Sequence, residues 1–530
     1  MLISVTLLSI FVLISLTLLS TFVLIVTSFL SILALISLTL LSILVLISFT
    51  LLSTFLLIAI LLLSIFVLTC LLFACGENKI DDTEKVEQVF YTVMPKQEYK
   101  LNPQSYSGNE RALLTQLFEG LTELKTEGVR LVSVVDIEHS NDYKEWTFTL
   151  RDDLKWSDGE KITANTYLDS WFDSLENSKS DEIYRLFVIK GAEDYYNKKP
   201  DKASVGLKVQ DNKLIVSLNN PIKNFDEWVS NPIFYPIRKE NRDLNLDKKI
   251  VNGAFKVSSF TDDEIILERN ENYWDNVNTK LKEIKISLVE DGIMAYEMFP
   301  RNEIDYFGEP FYSMPFDRLN QVNTLPEKLV FLTSRYWYIS IPNENKEKFF
   351  DKTEIRKLMY VVSDPEFMGK VILENNSPAI FSHPHPNSDV LNKAKEDFQK
   401  IKENSNFNFS ETPYVAYFEN NNLLEKKLLL STVKEWIGQF KIPIRVTSNS
   451  DSGITFRIEK YLVGTNNMND LYYYINYKYG SNIKSDEEFL NNLPVIPLLQ
   501  EYDTVLSHSN VRGINVSPSG DIYLKYINMQ

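Results

Sequence analysis

Two cysteines and four histidines are the only thiol and imidazole side chains in this 530-residue sequence. Cys70 and Cys75 both fall in VLTCLLFACGENK (67–79), where an apolar run meets the first charged residue, Glu77. Such a pair can be a redox couple, half of a metal site, or part of a processing signal. His383-Pro384-His385 is the one close histidine pair. Two imidazoles at that spacing can hold nickel or copper; the alternative is a solvated loop. His139 and His508 are distant in sequence. There is no Gly-x-Ser-x-Gly, no HExxH and no P-loop, and the carboxylates are scattered. We therefore assign no catalytic residue, no metal ligand set and no cofactor, and expect a protein that is not an enzyme.

The cysteines are explained by what precedes them. LISVTLLSIFV (2–12) recurs with variation up to Val67 at a period of 11, marked by Ser9, Ser20, Ser31, Ser42, Ser53 and Ser64. A helix over the whole repeat would be roughly 110 Å long, against a bilayer core of about 30 Å. No turn residue divides it into several spans, and no Lys or Arg orients it. Residues 1–74 thus read as a hydrophobic repeat ending in a signal-peptide core. The end, Leu72-Phe73-Ala74-Cys75-Gly76, resembles the bacterial lipobox: an aliphatic residue, a small residue, then a cysteine that takes lipid. On that reading Cys75 is the lipidation site, Cys70 leaves with the signal, and 75–85 is a polar tether. The expected location is extracytoplasmic, in the periplasm or at the cell surface, held to the membrane by lipid.

All of the −16 formal charge lies after the repeat. A net-negative chain is a poor match for nucleic acid, whose phosphates require clustered Lys and Arg. From Val86 onward strands and helices alternate. In KEWTFTLRDDLKWSDGEKITA (144–164), Trp146, Phe148 and Leu150 alternate with polar residues, and Ser157-Asp158-Gly159 predicts a tight turn. A helix capped by Thr163 follows, with Tyr167, Leu168, Trp171, Phe172 and Leu175 on one face. Hairpins are predicted over 205–218, turning at Asp211-Asn212, and over 253–274. Later come the aromatic strand RYWYISIP, a helix over 423–440, and a short buried run over 493–502.

LFEGL (117–121), WTFTLRDDLKWSDGEKITA (146–164), VNGAFKV (251–257), ILERNENYW (266–274), RNEID (301–305) and TEIRKLMYVVSD (353–364) stand in an order that resembles the bacterial oligopeptide-binding protein family. These are the extracytoplasmic solute-binding proteins, peptide and nickel type, of ABC importers; the likeness runs from about Val86 to Gln530. It implies an α/β, two-lobed periplasmic-binding-protein fold with crossing inter-lobe strands, and the repeat outside it. Lobe I would hold 86–325 and 500–530, and lobe II, which looks shortened, would hold 326–499. The implied partners are an oligopeptide or other small solute and an ABC permease, with the receptor a monomer. Trp146, Trp156, Asp158 and Gly159 build the first lobe rather than touch ligand.

Family members that grip a peptide's amino terminus carry a Trp and an Asp-Tyr pair after a strand in the second lobe; the resemblance puts that strand at Asp470 in NDLYYYINYKYGSNIKSDEEFLNNLPVIPL (469–498), and neither follows. The candidate ligand contacts are Glu98 and Tyr99 after the first strand, Tyr336, Trp337 and Tyr338 on a crossing strand, and Tyr473 and Tyr474 in the late segment. Alternation puts Tyr336 and Tyr338 on one face and Trp337 on the other. Besides peptide delivery, two readings stay open: a repurposed scaffold acting as a surface interaction lipoprotein, and a nickel-complex binder.

Overall fold

The alternation read at Trp146 sets the first sheet. In the computed structural model, strand Glu145–Leu150 buries Trp146, Phe148 and Leu150 and turns the residues between them outward. It pairs antiparallel with Val134–His139 on one side and Lys213–Ser217 on the other, and Leu207–Gln210 completes four strands. Asp211 and Asn212 both take positive φ, 48° and 57°, as a two-residue turn matched to strand twist requires. Helix Ala164–Asn177 packs on this sheet through Tyr167, Trp171, Phe172 and Leu175. Thr163 caps it in a reciprocal pair with Thr166. Trp171 is fully buried and its indole N–H donates to the Phe234 carbonyl at 2.8 Å.

The structure describes residues 87–530 except 107, 199–200, 243, 343–348, 374–376, 382–384, 420–422, 451–452 and 466, and 10, 12, 14–32, 36–44 and 47 of the repeat. The chain divides into two units, Met1–Lys85 and Val86–Gln530. In the first, helix Ile14–Leu44 is long and apolar enough to cross a membrane, with mean hydropathy 2.5. Its hydroxyls are satisfied by its own backbone. Ser20 donates to the Thr17 carbonyl at 2.9 Å, Ser31 to Ser28 at 2.8 Å and Ser42 to Thr39 at 2.8 Å. These three serines therefore do not oppose an apolar surrounding. Cys70, Cys75 and the tether lie outside the described residues, as does His383.

The second unit has the two-lobed α/β binding-protein fold. Its second four-stranded sheet runs Val89–Pro95, Glu283–Val289, Glu264–Arg269, Phe255–Phe260, the first pair parallel and the others antiparallel. A six-stranded sheet runs Tyr306–Phe307, Ile496–Ser507, Lys328–Ser340, Phe456–Leu462, Tyr414–Tyr417, Ile444–Thr447. Its spine is the antiparallel ladder of the 13-residue Lys328–Ser340 with the 12-residue Ile496–Ser507, from Lys328↔Leu506 to Ile339↔Ile496. These strands cross between the lobes.

One reading is corrected. The segment beginning at Asp470 is not a strand but part of the helix Met468–Tyr479. Asn467 caps it through Asn469 N–H, and Gly480, at φ 65°, ends it. Leu471, Tyr474 and Ile475 supply its buried face at helical spacing.

Trp171→Ala would empty a filled site and leave the Phe234 carbonyl unpaired. The expected loss is about 3–5 kcal/mol of unfolding free energy, read as a lower urea midpoint at unchanged slope.

Candidate ligand-binding cleft

Period-two geometry sorts the side chains of the crossing strands. Tyr336, Tyr338 and Ser340 point to one face, where helix Met468–Tyr479 covers them. Tyr338 donates to Glu459 at 3.1 Å, with Ser340 and Tyr479 on the same carboxylate at 2.5 and 3.2 Å. Burial pushes the Tyr336 phenol up to about 12. Arg335 and Trp337 point the other way, with Glu501 and Asp503 of the partner strand. Trp337 donates its indole N–H to Glu501 at 2.9 Å, and Arg335 is ion-paired with Asp503.

That second face opens into two adjoining cavities. One, of about 330 Å³, is lined by Tyr106, Asn109 and Arg111, by Arg335, and by Lys460 and Leu462 of the neighbouring strand. The other, of about 140 Å³, is walled by Trp337, Met314, Leu373 and Leu424 above Glu501 and Asp503. Glu309, Ser313 and Lys460 line both, so they form one cleft. Strand Phe456–Leu462 meets Tyr414–Tyr417 only through Phe456 and Arg457. Among the described residues the outer backbone edge of 458–462 has no strand partner.

The floor of the cleft holds the carboxylates Glu309, Glu501 and Asp503 against the cations Arg335 and Lys460. Burial pushes Asp503 up to about 7; Glu309 and Glu501 add to the rise, and Arg335 opposes it. Burial also works against ionisation of Glu309. Arg335, Lys460 and a 2.7 Å hydrogen bond from Ser313 outweigh it and hold Glu309 low.

A second polar cluster fastens the halves of the molecule beside the cleft. Arg185 Nη1 lies 2.8 Å from Asp470 Oδ2, across 285 residues of sequence, and neither side chain is exposed. Tyr184 and the Gly464 N–H donate to the same carboxylate, each at 2.9 Å. Arg185 also donates to the Tyr461 hydroxyl at 3.0 Å, and Trp228 donates to the Arg185 carbonyl at 2.9 Å. Tyr474 stacks on Tyr461 at 3.6 Å, and Tyr473 meets Trp228 edge-on at 5.3 Å.

Of the candidate contacts, the structure brings only Trp337 to the cleft. Tyr336 and Tyr338 face the covering helix. Tyr473 and Tyr474 sit in that helix, whose backbone groups are used internally, so they offer no strand-like pairing. Glu98 and Tyr99 line a different cavity, within the first lobe. His385 is exposed and bonded to Asp364 at 2.7 Å, and among the described residues no group of three or more His, Cys, Asp or Glu could hold a metal. Sequence reading missed Arg111, Glu309, Arg335, Lys460 and Asp503. One available signal was that Arg335 begins the aromatic strand already singled out.

The family model for bacterial extracellular solute-binding proteins, family 5, middle region, matches residues 127–437. The chain belongs to that family. The oligopeptide-binding protein OppA of Bacillus subtilis is 25% identical to this solute-binding protein over 479 residues, 78% of this chain and 87% of that one. The dipeptide-binding protein DppE of the same organism is 30% identical over 273 residues, 50% of this chain and 49% of its own. Among solved structures, Haemophilus influenzae OppA in complex with the peptide RPPGFSPFR superposes with a TM-score of 0.70 at 18% identity, over 84% of this chain and 99% of that one. Listeria monocytogenes OppA bound to peptide gives 0.67 at 17% identity over 84% and 99%. These relatives are binding proteins.

Two outcomes follow from the buried charges. Arg185→Met should cost about 3–5 kcal/mol by leaving Asp470 buried without its cation, and Asp470→Leu added to it should restore most of the loss. Denaturant midpoints of the single and double variants measure this. For Asp503, folding raises the pKa from 3.8 to about 7, so the folded chain holds a proton the unfolded chain has released between those values. The stability from this group is fully present below the unfolded value and lost as pH rises through the folded one. Asp503→Asn cannot titrate, so its melting temperature should gain on the parent's from about pH 4 to about pH 7 and level off above that.

Proposed function

We propose that this solute-binding protein is the lipid-anchored receptor of an ABC importer, taking up oligopeptides or related solutes and handing them to a membrane permease. The observation that carries the reading is the unpartnered outer edge of 458–462, which opens beside the cleft cavity through Lys460 and Leu462. An extended peptide laid along that edge gains main-chain hydrogen bonds irrespective of its sequence, which is how one receptor accepts many peptides. The acid-rich floor suits a ligand ammonium or basic side chain. Lobe I is drawn from 86–325 and 500–530 and lobe II from 326–499, and their closure traps the solute. Cys75 carries the lipid after export, which puts a monomeric receptor on the outer side of the cell membrane.

A second reading, a scaffold turned to surface interactions, is favoured by the Arg185–Asp470 pair. That cluster joins the two halves through the chain's own cation, with no ligand charge in it. Native mass spectrometry of the purified protein separates the two. Transport predicts co-purified peptide masses that exchange for added peptides; a bare protein, whose melting temperature no peptide pool raises, favours the second. Mass analysis of the mature amino terminus tests the anchor. A diacylated Cys75 is the expected species, and an intact residue 70 in the mature protein would contradict it.

A further inference from the structure

Glu98 and Tyr99 face a cavity that the proposed transport does not use. It has a volume of about 580 Å³, within the range of small-molecule sites, and lies inside the first lobe between 98–105 on one side and 237–242 and 244–249 on the other. Its floor is apolar, from Tyr99, Leu101, Phe118 and Leu246. Its rim is cationic, with Lys100, Lys179, Arg238, Arg242 and Lys249 against Glu98, the single carboxylate among the described residues that line it. This charge is unusual in a chain of net charge −16.

The cations differ in what holds them. Arg238 is occupied by Glu160 at 2.6 Å and Arg242 by Asp173. Lys100 meets Glu98 only at 3.7 Å, with both side chains largely exposed. Lys249 is half-buried, and its ammonium donates to the Asn241 carbonyl at 2.6 Å with no carboxylate in ion-pair range among the described residues. Lys179 likewise has no ion-pair partner among them. A partly buried ammonium bonded to a carbonyl, with Glu110 attracting it only from beyond ion-pair range, is stabilised by an incoming anion, and several cations around one rim suit a ligand with several anionic oxygens.

We propose that this first-lobe cavity is a second site, separate from the cleft, for a phosphate-bearing small molecule whose apolar portion rests on Tyr99 and Phe118. The phosphate can belong to a soluble phosphate ester or to a lipid headgroup at the membrane where the receptor is anchored.

The test is titration calorimetry on the full-length protein in a zwitterionic detergent, with inorganic pyrophosphate and, separately, dihexanoyl phosphatidylglycerol as probes. At least one probe should bind at micromolar to low-millimolar concentration. Lys249→Gln should weaken it tenfold or more, Lys179→Gln should weaken it less, and Lys249→Arg should retain it. Binding of pyrophosphate alone identifies a soluble ester, and binding of the short-chain lipid alone identifies a headgroup. Absence of binding by both, or binding equally strong in Lys249→Gln, overturns the proposal. Peptide binding in the cleft should be the same in all three variants, so the outcome here is independent of the transport reading.

Discussion

The antiparallel ladder between Lys328–Ser340 and Ile496–Ser507 is the constraint on which the rest of the molecule depends. It is the longest strand pairing in the structure, and it puts successive side chains on opposite faces. One face must be covered, and Tyr336, Tyr338 and Ser340 meet helix Met468–Tyr479 there. The other face lines the cleft, and it carries Arg335, Trp337, Glu501 and Asp503. A slip of one residue would exchange these sets, burying an arginine under the helix and turning tyrosines into the cleft. The charged floor and the tyrosine-rich packing both follow from the alternation of Arg335–Ser340, which pairs without a break along Leu462–Arg457, while the ladder to Ile496–Ser507 shifts register at Leu332/Tyr336 and at Tyr336/Tyr338.

The Arg185–Asp470 cluster adds a different kind of constraint. A buried ion pair contributes little net stability, because desolvating both ions offsets most of their attraction. It does specify geometry, since separating its members leaves charge in an apolar setting. Here the hydroxyls of Tyr184 and Tyr461, the Gly464 amide and the face of Trp228 complete the shell around it. Of the late segment's tyrosines, Tyr474 stacks on Tyr461, Tyr477 on Tyr184 and Tyr473 meets Trp228 edge-on, so they pack around this pair's partners rather than bond to it. That accounts for a Tyr-rich run with no direct place in the cleft.

Much of the scaffold was legible in the sequence because local signals agreed with tertiary needs. The helix read over 423–440 has those bounds in the structure, and the turn at Asp211-Asn212 and the cap at Thr163 stand where their chemistry put them. At Asp470 the family resemblance implied a strand, and the chain's own residues form a helix there instead. The deciding signals were present at its ends, in Asn467 and Gly480. The cleft was far less legible. Arg111, Glu309, Arg335, Lys460 and Asp503 come from five distant stretches, and each alone looks like an ordinary surface charge. Only the ladder register and the folding back of the C-terminal strand bring them together.

The central claim is that ligand adds to the outer edge of strand Phe456–Leu462 within the cleft. Hydrogen–deuterium exchange with and without a peptide pool reads this directly, since an amide that gains a hydrogen bond exchanges more slowly. The account predicts slowed exchange in peptides spanning 458–462, with little change in helix Ala164–Asn177. Unchanged exchange at 458–462, with peptide bound and protection appearing elsewhere, would contradict it.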